Sequence, residues 1–101
     1  MKLYLDDVRK CPENWIPVRY VRDMIQLLQE QNVSEISLDH DLGEDQPSGY
    51  DLLLWIEENV FRLRGNKLKI LLPEIHVHSM NPVGKKKMLA AIESIKRILE
   101  K

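Results

Sequence analysis

Three apolar runs in this chain end in groups able to do chemistry. Lys2 to Leu5 is followed by Asp6-Asp7, Ile36-Ser37-Leu38 by Asp39-His40-Asp41, and Ile75-His76-Val77 by His78-Ser79, with Asn81 just beyond. Charged side chains at the end of a buried segment cost stability if they are left unpaired, so their recurrence at three segment ends points to use. Carboxylates are hard oxygen donors. Asp6, Asp7 and Asp39 together suit a divalent cation, Mg²⁺ or Mn²⁺, that keeps open positions for a substrate phosphate. Without a cation such a cluster repels itself, and its pKa values rise. Asp41, standing before Leu42-Gly43, reads equally well as a turn former. His40 and His78 adjoin the acids, and imidazole is a general acid or base near neutral pH. His76 shares a strand face with His78, about 6.6 Å further from the strand end. Groups suited to a phosphate surround them: the Arg9 guanidinium, the Ser79 hydroxyl, and the free N–H groups of a helix opening at Asn81. Lys85 adds a cation, while Lys86 and Lys87 read as a solvated helix face.

These residues meet only if the segments carrying them lie side by side. Lys2 to Leu5 reads as a short buried strand. Ile16 to Tyr20 reads as a second, and Pro17, which lacks a ladder donor, assigns it to a sheet edge. Val21, Met24, Ile25 and Leu28 mark one face of a helix reaching about Gln31. Ile36 to Leu42 is the next strand, and the loop Gly43 to Gly49 is rich in turn formers. Ser48 fits the cap of a helix that carries Leu52, Leu53, Trp55, Ile56 and Val60. Leu63 to Glu74, interrupted by Pro73, reads as an irregular link. Ile75 to Ser79 is the last strand. Asn81 as cap and Pro82 as first helical residue open the final helix, with Met88, Ala91, Ile92, Ile95 and Leu99 as its buried stripe. Strands alternating with helices imply a parallel sheet with helices on its faces. Ligands bind such sheets outside the carboxyl ends of the strands, the edge where all three polar clusters fall.

Composition narrows the class. With 101 residues, 44% hydrophobic and 31% charged, the chain reads as one soluble globular domain over 1–101. A net charge of −1 gives no bulk field to recruit nucleic acid. Cys11 is the only cysteine, which excludes an internal disulfide and fits a reducing, cytoplasmic setting. No apolar run approaches membrane-spanning length.

The residues also carry a resemblance. An acidic pair after the first strand, an Asp after a later strand and a Ser after the next resemble the response-regulator receiver domain. In that resemblance Asp6 and Asp7 match the metal-binding pair, Asp39 the phosphate-accepting aspartate and Ser79 the hydroxyl residue. "SGYDLLLWI" is similar to the Gly-led helix after the phosphorylated Asp. Departures are plain. Asp6 and Asp39 are 33 positions apart (39 − 6), too few for two helix–strand units. No final strand with the receiver's lysine follows Ser79, and the histidines are not receiver features. Taken together, "LYLDDVR", "W-x-x-VR", "ISLDHDLG", "GYDLLLWIE" and "IHVHSMNPVG" closely resemble the cyclic-phosphate-processing receiver-like domains, over nearly the whole chain. The resemblance implies a small flavodoxin-like three-layer sandwich whose four-stranded parallel sheet has the order 2-1-3-4 and lacks the receiver's last strand.

The function expected from residues and resemblance together is a metal-dependent phosphoesterase acting on a cyclic phosphate of a small ligand or an RNA end. Asp6, Asp7 and Asp39 hold the cation. His78 or His40 activates water, and the other protonates the leaving oxygen. Arg9, Ser79, Asn81 and Lys85 bind phosphate. The alternatives are a receiver-type phosphoacceptor at Asp39 and a non-catalytic module binding an anion or a protein. No membrane partner is expected.

Overall fold

In the computed structural model, which describes residues 1–64 and 72–99, seven elements follow one another: β1 (Lys2–Leu5), β2 (Ile16–Val18), α1 (Val21–Glu30), β3 (Glu35–Leu38), α2 (Gly49–Arg64), β4 (Glu74–Val77) and α3 (Pro82–Leu99). The four strands form one parallel sheet in the order β2-β1-β3-β4. Both the expected order and the edge position of the Pro17 strand are found.

Register is what builds the site. Leu5 lies opposite Val18 and Leu38, and Leu38 lies opposite Val77, so all four strands stop on one line. The ladder reaches one residue further. The N–H of Asp6 donates to Val18 O (3.1 Å), that of Asp39 to Leu5 O (3.0 Å) and that of His78 to Leu38 O (3.0 Å). Asp6, Asp39 and His78 therefore stand in adjacent rows.

Side-chain alternation separates two faces. Leu3, Leu5, Val18, Ile36 and Leu38 are buried on one, in a single apolar core with Val21 and Met24 of α1, Leu52, Leu53 and Ile56 of α2, and Met88, Ala91, Ile92 and Ile95 of α3. Fully burying one such side chain stabilises the fold by about 1.5–3 kcal/mol. The opposite face carries Lys2, Tyr4, Glu35, Ser37, Glu74 and His76. No described helix covers it. The loop between β1 and β2 does so, setting the Trp15 ring edge-on to Tyr4 and to His76, each at 6.3 Å between centroids. A three-layer sandwich puts a helical layer on each face. Here all three helices share one face, because the β1–β2 connection has no helix to offer the other.

The strands are shorter than the apolar runs suggest. β3 stops at Leu38, so Asp39-His40-Asp41 forms the following loop, and Leu42 turns back into the core. β4 likewise stops at Val77. Helix α2 continues to Arg64, into the stretch read as a link, and the remainder of that expectation over 65–71 lies outside the described residues. The caps are as expected. Ser48 Oγ accepts the Asp51 N–H (3.2 Å) while Asp51 Oδ2 accepts the Ser48 N–H (2.7 Å), a reciprocal box. Asn81 Oδ1 accepts the Gly84 N–H at 3.0 Å. Among the described residues no helix is long and apolar enough to cross a membrane.

Candidate functional site

The site begins with Asp6, whose side chain is 1% exposed. Its Oδ1 accepts the backbone N–H groups of Val8 (2.9 Å) and Arg9 (2.8 Å), because the chain turns sharply after β1. Its Oδ2 lies 2.9 Å from His78 Nε2. Burial pushes the Asp6 carboxyl up, but the bonds from Arg9, Val8 and His78 outweigh it and hold the group below the usual carboxylate range. Asp39 goes the other way. Burial, and then the neighbouring Asp6 charge, raise its carboxyl above the ordinary value, against one bond from the His40 N–H at 2.8 Å.

Asp6, Asp7 and Asp39 each bring a carboxylate oxygen within 4.8 Å of the others. Three hard oxygens at that spacing, one of them held above its normal pKa by burial and then by its neighbour's charge, fit a small divalent cation. Asp7 and Asp39 also line an open groove of about 490 Å³, with Arg9, Asp41, Met80 and Asn81 on its walls.

Neither His40 nor His78 lines that groove. His78 is flanked on every side: Nε2 by Asp6, Nδ1 by Ser37 Oγ at 2.7 Å, and the ring face by Tyr4, stacked 4.2 Å away at 5°. Its carbonyl accepts a hydrogen bond from the Arg9 guanidinium. Burial pushes the His78 pKa below its ordinary value, against the pull of Asp6. His40 leans over Gly84, where a Cβ would lie 2.5 Å from the ring. Its Nδ1 is 2.9 Å from Asp41 Oδ1, and Asn81 Nδ2 donates to Asp41 Oδ2 at 3.2 Å. These bonds, that of His40 first, hold the Asp41 carboxyl low. Asp41 is thus more than a turn former, since it ties the β3 loop to the start of α3.

The remaining candidates are placed as follows. Ser79 is buried, and its Oγ accepts the Asn81 N–H at 3.1 Å, so it shapes the entry to α3 and does not line the groove. Lys85 is exposed and also outside the groove lining. His76 pairs with Glu35 at 3.0 Å on the second sheet face, in a separate group with Glu74. Ser37 and Tyr4 were not singled out from sequence. Both alternate with apolar core residues along their strands, which is the signal that places them on the face shared with His78.

With this geometry in view, the comparison with protein families is decisive: the model of the cyclic-phosphate processing receiver domain matches residues 1–94. The chain belongs to that family. No curated protein and no solved structure is similar enough to count as a match. In this member of the cyclic-phosphate processing receiver family, Asp6 and Asp7 follow β1 and Asp39 follows the neighbouring β3. The chain adds the His78 and His40 contacts, each imidazole backing a carboxylate.

Proposed function

We propose that this receiver-like chain is a divalent-cation-dependent phosphoesterase that opens a cyclic phosphate on a nucleotide or an RNA end. The observation that carries the reading is the meeting of Asp6, Asp7 and Asp39 oxygens within 4.8 Å beside a groove walled by Arg9 and Asn81. When bound, the cation neutralises these acids and polarises a phosphoryl oxygen. Arg9, braced by the His78 carbonyl, keeps further guanidinium donors for a phosphate oxygen. Asn81, which also lines the groove, caps α3 through Oδ1 and bonds Asp41 through Nδ2, and keeps one amide N–H for the same group. Opening the ring forms one P–O bond to water and breaks one P–O bond to the sugar. The water loses a proton and the departing alkoxide gains one. Asp41, on the groove wall with His40 bonded behind it, is the pair placed to move that proton.

The test is hydrolysis of a 2′,3′-cyclic nucleotide followed by chromatography. Turnover should need Mg²⁺ or Mn²⁺, vanish in chelator, and be lost in Asp39→Ala. His40→Ala should cost about 10²–10⁴ in rate if the pair transfers a proton. Turnover that persists in chelator removes the cation from the reaction. A second reading follows from Asp39 standing where receivers accept phosphate. Acetyl phosphate treatment followed by intact mass separates the two, since only a phosphoacceptor gains a phosphoryl group that Asp39→Ala abolishes.

A further inference from the structure

His78 ends its strand beside the carboxylates, yet its imidazole has nothing free to offer a substrate. Nε2 lies 2.9 Å from Asp6 Oδ2 and Nδ1 lies 2.7 Å from Ser37 Oγ. An ionised carboxylate only accepts hydrogen bonds, so Nε2 carries the proton. Nδ1 then holds a lone pair, and the Ser37 hydroxyl donates to it. The ring is stacked flat on Tyr4 at 4.2 Å, which fixes its plane as the two hydrogen bonds fix its rotation within that plane. With its side chain 15% exposed and both nitrogens engaged, it cannot take a proton from water in the groove without breaking this arrangement.

The other end of the chain of bonds is Asp6. Two backbone N–H groups hold Oδ1, and His78 holds Oδ2 from the side of the sheet. Held at both oxygens, the carboxylate cannot rotate about its Cβ–Cγ bond. We propose that His78 is a positioning residue for the cation centre: the relay Ser37–His78–Asp6 sets the orientation of the Asp6 carboxylate, and so the lone pairs it presents beside Asp7 and Asp39. The proposal rests on the reading of Asp6, Asp7 and Asp39 as the cation site. It assigns His78 a role in affinity, and leaves the proton to the Asp41–His40 pair.

The experiment measures Mn²⁺ uptake by the whole chain through loss of the free-ion EPR signal, with circular dichroism as the check on folding. His78→Phe keeps a ring on Tyr4 and removes both hydrogen bonds, so Mn²⁺ should bind about 10–100-fold more weakly, the range for lost partners of ligating groups. His78→Gln returns an N–H toward Asp6 and should recover most of that loss. Ser37→Ala removes the other end of the relay and should weaken binding to an intermediate degree. Nitrogen-15 shifts of the unaltered protein should show His78 protonated at Nε2 and bare at Nδ1. If His78→Phe does not fold, Ser37→Ala and the imidazole shifts decide alone. Wild-type affinity in a folded His78→Phe or in Ser37→Ala, or a bare Nε2, overturns the proposal while leaving the cation site standing. A wild-type chain that takes up no Mn²⁺ overturns the cation reading itself, and the positioning role with it.

Discussion

Two carboxylates in adjacent rows are pushed in opposite directions, and that contrast is measurable. Asp39 holds its proton more tightly folded than unfolded, so its contribution to stability is present at low pH and is lost as pH rises through its folded pKa. At neutral pH and without metal, the ionised group opposes folding. Asp39→Asn should therefore raise the melting midpoint in chelator, by several degrees for each ~1 kcal/mol gained. The difference should close as pH falls and the wild-type carboxyl protonates. Asp6 has the reverse sign, since its lowered pKa contributes stability above the unfolded value that is lost as pH falls. Asp6→Asn should lower the midpoint at neutral pH, because its amide N–H meets the His78 N–H. Equal shifts of the two variants would mean the acids are not crowded. The identities of these residues were legible in the sequence, since acids at strand ends stand out. Their partners were not. A hydrogen bond from His78 to Asp6 spans 72 positions, and only the register of β1 against β3 and β4 reveals it.

Two glycines position the elements that carry those residues. A Cβ on Gly49 would lie 2.0 Å from the Asp39 carbonyl oxygen and 2.8 Å from Met88 Cε, so α2 can start against β3 only without a side chain. Backbone cannot yield as a side chain can. Gly49→Ala should cost at least the ~1–3 kcal/mol typical of overpacking, seen as a lower melting midpoint. Gly84 differs, because its close contacts are all atoms of the His40 ring, at 2.5 to 2.9 Å. Gly84→Ala should push that ring off Asp41, while helix propensity returns about 0.5–1 kcal/mol. The expected outcome is near-normal melting with depressed cyclic-phosphate turnover, and unchanged turnover would remove His40 from the reaction. The helices and their caps were readable from periodicity and from Ser48 and Asn81. Strand ends were not, because apolar Leu42 after Asp39-His40-Asp41 lets the pattern of β3 read on through the acids, whereas it packs into the core from the loop. The Gly49 N–H donating to His40 O at 3.0 Å is a tertiary contact that shows the chain already turning there.

At the scale of the molecule, one sheet serves two tasks on two faces. The helical face supplies the core, from Leu3, Leu5, Ile36 and Leu38 against three helices. The other face carries Tyr4, Ser37 and His76 under Trp15, with His78 continuing the line beyond β4, so what would be a second core in a three-layer protein is a polar support for the strand ends. The parallel sheet and its order followed from the alternation of elements and the family resemblance. The missing layer did not, because nothing in "CPENW" states which face a loop will cover. A chain built this way stores repulsion at the edge it uses, and a cation should convert that cost into stability. Binding to the folded state alone adds RT ln(1 + [L]/Kd), about 2.7 kcal/mol at one hundred times Kd. Mg²⁺ should thus raise the wild-type midpoint progressively. Asp39→Asn begins higher in chelator but has lost one ligand oxygen charge, so its midpoint should barely move. The two melting curves must then cross as Mg²⁺ increases. Parallel responses would place the cation away from Asp39. A wild-type midpoint that ignores Mg²⁺ and Mn²⁺ alike would mean that the three carboxylates are held together by the fold without any ion to join them.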